Sequence, residues 1–159
     1  MKKHQYQSTL NWTGNTGKGT ADYRSYEREF IIQIEGKPDL LGSSDPSFRG
    51  DKNRYNPEEL FLASISSCHM LWYLHLCSDN DITVVEYQDR ADAEMTEELG
   101  GAGHFESVTL KPEVTILEPE KEKLAINLHQ KANNLCFIAN SCNFEIRHKP
   151  SIEIRRNEG

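Results

Sequence analysis

Four cysteines, at positions 68, 77, 136 and 142, and six histidines have the widest chemical repertoire in this chain. A cysteine can staple, ligate a metal, fill a core or attack an electrophile, and spacing helps to separate these uses. Cys68 sits among apolar and small residues between Leu60 and Cys77. By spacing alone it reads as a small hydrophobe in a core. Cys77 is nine positions further on, half a turn out of phase on a helix, so it faces the other way. Core filling is the stronger reading for Cys77 and for Cys142. Cys136 follows Asn133-Asn134-Leu135 at the end of a predicted helix, where the backbone can bring a thiol towards another element. The spacings Cys68-His69, His75-x-Cys77 and His129-x6-Cys136 match no zinc pattern of paired close ligands, so no metal site is expected. A Cys–His–Asn nucleophile arrangement stays open by counting, without a local signature to support it. His69 and His75 read as core or helix-face histidines rather than acid–base groups.

The elements that must position these residues follow from patterning. Asn56-Pro57-Glu58-Glu59 is a helix start: an Asn cap, Pro at the first helical position, and acids at the positive end of the dipole. The helix should run to about Ser78 and, being apolar nearly all round, should be buried on most sides. Ala63, Ser64, Ser66, Ser67 and Cys68 form a small-residue patch that lets another helix cross closely. Upstream, Tyr6, Ser8, Leu10 and Trp12 alternate with polar residues as in a half-buried strand, before turn chemistry at 14–19. Tyr26–Ile34 reads as a second extended segment, and residues 39–55 as a polar connection of the kind that is functional or mobile.

Downstream, Val85, Tyr87, Ala91, Ala93 and Met95 alternate, as do Val108, Leu110, Val114 and Ile116 across a Gly100-Gly101-Ala102-Gly103 turn. Together they predict a long β-hairpin. Pro119-Glu120 opens a second helix to about Asn134, with Leu124, Leu128 and Ala132 facing inward. Cys136–Cys142 reads as a short helix or turn, and Phe144–Ile154 as a last strand interrupted by Pro150. The order β-β-α-β-β-α-α-β implies one α+β domain over 1–159 with a mainly antiparallel sheet.

At 159 residues the chain suits a single core. Its 18 Lys+Arg against 25 Asp+Glu give a net charge of −7, with no basic block, so nucleic acid and anionic membrane surfaces are excluded as partners. The N-terminal Lys2-Lys3 pair has no apolar segment behind it, which sets a cytoplasmic expectation. In a reducing compartment the cysteines are not expected to form permanent disulfides. Leu60–Cys77 is near membrane-spanning length, but Ser64, Ser66, Ser67, His69 and His75 interrupt it, and a core helix is the better reading. The Gly-rich turn at 14–19 lacks the ending of a phosphate-binding loop, and no cofactor is expected.

The run Asn56-Pro57-Glu58-Glu59-Leu60-Phe61-Leu62-Ala63-Ser64-Ile65-Ser66-Ser67-Cys68, with a second cysteine late in the chain at Cys136, resembles the OsmC/Ohr family of osmotically inducible and organic-hydroperoxide-resistance proteins. The likeness extends over Trp12-Thr13-Gly14, the central helix, the hairpin and Asn133-Asn134-Leu135-Cys136. It implies an OsmC-like fold with a long buried central helix, an intertwined homodimer, and thiol-dependent reduction of organic hydroperoxides. Cys68 matches the peroxidatic position, Cys136 the resolving one and Glu58 the family's Glu. Arg49, in Phe48-Arg49-Gly50, is the first choice for the family's Arg, with Arg54 in reserve. Two departures bear on loop geometry: Phe137 follows Cys136 where many members have Pro, and the 39–55 loop is longer than in short members.

The chemistry so implied has definite needs. An ordinary thiol of pKa about 8.5 is only a few per cent thiolate at neutral pH, so the nucleophile requires a cation, and an Arg held by Glu58 suits it. Glu58 and Cys68 are ten residues apart on one predicted helix, about 15 Å, too far for direct contact. Either the Arg bridges the gap, or Glu58 serves the partner subunit's Cys68, which is the favoured arrangement. Without the family, Glu58 reads as a helix-dipole carboxylate. Phe61, Met70, Trp72 and Phe137 are either core or the shelter for a peroxide's alkyl group. A dithiol reductant, a lipoyl group among the candidates, would restore both thiols. Two rivals share the fold: a non-enzymatic protein that binds an apolar ligand at the dimer interface, and a thiol redox sensor.

Overall fold

A computed structural model describes residues 1–155. The chain divides into two compact units, residues 1–61 and residue 62 onward.

In the first unit, β1 (Thr9–Trp12), β2 (Phe30–Gln33) and β3 (Leu40–Gly42) form an antiparallel sheet in the order β1-β2-β3. β1 is exposed along its whole length, so its alternation does not divide a buried from a wet face within this unit. The expected polar connection at 39–55 contains β3 and a 3-10 turn at Pro46–Phe48, and it is pinned by its own hydrogen bonds. Asp45 caps the turn by accepting from the Ser47 amide at 2.8 Å, and the Asp51 amide donates to Ser43 Oγ at 3.1 Å. Gly50 is required there: a Cβ would lie 1.5 Å from the Ser44 carbonyl oxygen. The start of helix α1 (Pro57–Asp79) is built as its residues dictate. Asn56 Oδ1 accepts from the Glu59 amide at 2.8 Å, and Glu59 accepts from the Asn56 amide at 3.1 Å. This is a reciprocal capping box.

The second unit carries most of α1, followed by β4 (Val84–Asp89), β5 (Asp92–Glu97), β6 (Gly103–Leu110), β7 (Pro112–Ile116), α2 (Glu122–Leu135), β8 (Glu145–His148) and β9 (Ser151–Ile154). The expected hairpin is present but broken in two. β4 pairs with β7 and β5 with β6, both antiparallel. The break has a local cause: the Lys111 amide donates to Asp89 Oδ1 at 2.7 Å instead of joining the ladder, and Pro112 has no amide hydrogen to give. The last strand breaks at Pro150, which again has no amide hydrogen; just before it the Lys149 amide makes the last ladder bond to β6, to the Leu110 carbonyl at 2.9 Å. Its halves add to the two ribbons in parallel, giving sheets ordered β4-β7-β9 and β5-β6-β8. The sheets are therefore antiparallel-rich with a parallel edge strand each.

The core joins Tyr73, Leu76 and Cys77 of α1 to Ile82, Val114, Ile116, and Ala125, Leu128 and Ala132 of α2. Side chains such as Leu76 or Ile116 each contribute about 1.5–3 kcal/mol by leaving water. Two expectations need correction. Helix α1 is buried along one stripe, Ile65, His69, Tyr73, Leu76 and Cys77, rather than on most sides, and Leu71 is 64% exposed. By length and composition α1 could cross a membrane, yet that stripe is engaged by α2 and the sheets. The inward stripe of α2 is Ala125, Leu128, His129 and Ala132, while Leu124 is exposed.

Candidate active site

Cys68 projects from the middle of α1 and is half-buried. Cys136 ends α2, where extended backbone (φ −67°, ψ 114°) turns the chain out of the helix. Cys136 is 1% exposed, and its thiol lies near enough to Cys68 for the two to affect each other's ionisation. The Ala139 amide donates to Cys136 Sγ at 3.4 Å. Two cysteines 68 positions apart in sequence are thus brought together as free thiols. Burial, and then the contact with Cys68, push the Cys136 thiol up to about 11. At neutral pH this sulfur keeps its proton and can offer its S–H to its neighbour.

The other two cysteines are in different surroundings. Cys77 is 1% exposed in the core beside the Tyr73 hydroxyl, and burial raises its pKa. Cys142 follows a 3-10 turn at Ala139–Ser141 and donates to the Ile138 carbonyl at 3.2 Å. Cys77 fills the core as expected; Cys142 is half-buried.

A buried imidazole cluster also joins α1, α2 and β8. His69 Nε2 and His129 Nδ1 are 3.0 Å apart, linking α1 to α2. Tyr73 stacks on His129 with ring centroids 3.8 Å apart, and His148 of β8 lies against His69 at 4.6 Å. Burial, followed by the charge of neighbouring imidazoles, lowers both His69 and His129 to about 3, so both are neutral near pH 7. The sequence signal for His129 is its place in the i, i+3, i+4, i+7 stripe 125/128/129/132; nothing local announces His148.

The expected pocket residues are dispersed in kind. Trp72 and Phe137 meet edge to face at 5.8 Å, but Phe137 is 69% exposed, neither core nor an enclosed wall within this chain. Met70 and Phe61 are half-buried. In the first unit, Arg49 is exposed at a left-handed φ of 66°, with no side-chain ion pair among the described residues. Arg54 is half-buried and lies 3.5 Å from Glu29 and 3.7 Å from Asp51. Glu58 pairs with neither arginine among the described residues; Arg54 takes its carboxylates from Glu29 and Asp51. A concavity of about 420 Å³ on the outer face of β4-β7-β9 and one of about 630 Å³ near Ser78 and Glu118 include neither Cys68 nor Cys136. Among the described residues no cluster of three or more metal-ligating side chains is arranged to hold an ion.

Antiparallel-rich sheets with mixed α/β content define an OsmC-like fold, and solved structures agree. An OsmC-like protein of unknown function from Vibrio cholerae is 26% identical, with a TM-score of 0.84 over 94% of this chain and 100% of that one. An organic hydroperoxide resistance protein from Elizabethkingia anophelis is 19% identical, with a TM-score of 0.66 over 97% and 100%. The organic hydroperoxide resistance protein OhrB of Bacillus subtilis is 18% identical, with a TM-score of 0.63 over 94% and 98%. No curated protein matches the sequence. The family model described as OsmC-like protein matches residues 50–151, and the chain belongs to that family.

Proposed function

We propose that the chain is a thiol-dependent peroxidase that reduces organic hydroperoxides to alcohols. The observation that carries this reading is the approach of the Cys68 and Cys136 thiols to each other, with Cys136 kept protonated by burial. The Cys68 thiolate attacks the peroxide's distal oxygen, the O–O bond breaks, and the alkoxide takes a proton to leave as alcohol. Cys68 is then a sulfenic acid. The Cys136 sulfur attacks it; hydroxide leaves with the Cys136 proton as water, and a Cys68–Cys136 disulfide remains. A dithiol, lipoyl groups included, returns both thiols by exchange and is itself oxidised to a disulfide. No bound cofactor takes part.

Arg49 or Arg54 with Glu58 would supply the charge that keeps the nucleophile ionised. The ion pairs of Arg54 make it the better pre-organised of the two. A homodimer in the cytoplasm completes the proposal: exposed Leu71 and Phe137 in one unit, and Leu10 and Leu41 in the other, are apolar surface that a second copy would cover. Trp72, Met70, Phe61 and Phe137 would then line the alkyl site. The test is consumption of an alkyl hydroperoxide with a dithiol reductant by wild type and Cys68→Ser. A loss of activity in the variant supports the proposal; equal rates overturn it. Light scattering on the purified protein tests the dimer.

A further inference from the structure

Helices α1 and α2 are joined by a directional side-chain contact between His69 and His129. His69 follows Cys68 in the chain, and His129 lies seven residues, about 10 Å along the axis, before Cys136. We propose that the His69–His129 hydrogen bond is the positioning device of the redox pair: it fixes the register of α1 against α2 that keeps Cys68 opposite Cys136. The inference rests on reading those two thiols as a redox pair.

Three observations support it. First, the pair is a costly way to fill a core. Each imidazole spends one nitrogen on the bond, and the other, His69 Nδ1 or His129 Nε2, is buried without a partner. Two aliphatic side chains would fill the space with nothing left unsatisfied, so the histidines contribute direction rather than burial. Second, the rings are held on their faces. Tyr73 stacks on His129 at an interplanar angle of 11°, and His148 covers His69. α1 and α2 therefore meet at one hydrogen bond, and β8 packs against it through His148. Third, disulfide closure tolerates little slack, since Cα atoms must come within about 4.4–6.8 Å. A slip of α2 by one residue moves Cys136 about 1.5 Å along the axis and turns it about 100°.

The test is the equilibrium of the full chain with reduced and oxidised glutathione. Exchange converts the Cys68 and Cys136 thiols to a disulfide and one oxidised glutathione to two reduced ones. In the double variant His69→Leu/His129→Leu, which removes both polar partners together, the equilibrium constant for the disulfide is expected to fall about tenfold, about 30 mV for two electrons. His129→Asn keeps a polar atom at the Nδ1 position and His69→Gln one at the Nε2 position; both should stay within about threefold of wild type. A merely space-filling role would move thermal stability and leave this equilibrium in place. An unchanged constant in the double variant overturns the inference. Should that variant not fold, a tenfold loss in His129→Asn or His69→Gln overturns it instead. A wild-type chain that consumes no hydroperoxide, while its disulfide equilibrium still follows the histidine bond, overturns the peroxidase proposal alone and supports this one.

Discussion

Cys68 and Cys77 share a helix, nine residues apart, and face opposite environments. Cys77 is packed among Leu76, Ile82 and Ile116 with a tyrosine hydroxyl for a partner. Cys68 is half-buried and its partner is another thiol. The same residue type on one element is thus core filler on one face and a candidate nucleophile on the other. The deciding factor is what a second element brings to each face: a packed sheet and helix stripe to Cys77, the C-terminal end of α2 to Cys68.

The largest effect should separate these two faces. Cys68→Ser is expected to lower the rate of alkyl hydroperoxide consumption by about 10³-fold or more, while Cys77→Ala stays within about twofold, measured with a dithiol reductant. Comparable losses in both would erase the distinction. Next comes Cys136→Ser. It should leave the first turnover intact but cut steady turnover about 10- to 100-fold, with a Cys68 sulfenic acid trapped by a dimedone-type reagent. Unimpaired cycling would remove Cys136 from the scheme.

The imidazole pair adds a pH signature to the same comparison. Folded His69 and His129 have pKa values lowered to about 3, against about 6.5 for the unfolded chain. As pH falls below 6.5 the unfolded state binds protons first. The stability of the neutral pair is therefore complete above that pH and is lost progressively towards pH 3. Urea titrations at pH 7 and pH 5 should show wild type losing about 2–4 kcal/mol more than His69→Leu/His129→Leu. Parallel losses in the two proteins would place the acid sensitivity elsewhere. The smallest effect contrasts the packing cysteines: Cys77→Ala should cost about 1–2 kcal/mol in the same titration, and Cys142→Ala under about 0.5 kcal/mol.

What could be read from the sequence was what is local. The start of α1 was legible because capping is settled within Asn56–Glu59, and the hairpin turn because Gly100–Gly103 is itself a turn signal. The alternation from Val85 to Ile116 was legible as strand, but the break was not, since it depends on Asp89 capturing the Lys111 amide across the ribbon. β3 is three residues long with adjacent leucines, too short to show a period. On α2, Leu128 and Ala132 face inward as their spacing implies, whereas Leu124 is exposed and His129, a polar residue in that stripe, has no apolar signal of its own. Cys136 stands out by its place at a helix end, but its resolving role could be named only through the family resemblance. Its contact with Cys68, like the approach of His148, is made by packing between distant segments, which no window of the sequence contains.

The parallel addition of β8 and β9 to an already paired hairpin has a consequence for the order of assembly. A parallel strand cannot dock until its whole crossover has been made, and here the crossover is α2 with Cys136 at its end. Contacts of such long sequence separation form late and slowly. During synthesis Cys68 would leave the ribosome 68 residues ahead of Cys136 and wait for that cysteine to arrive. The interval between those two events is when this thiol is most open to over-oxidation or to capture by a stray disulfide.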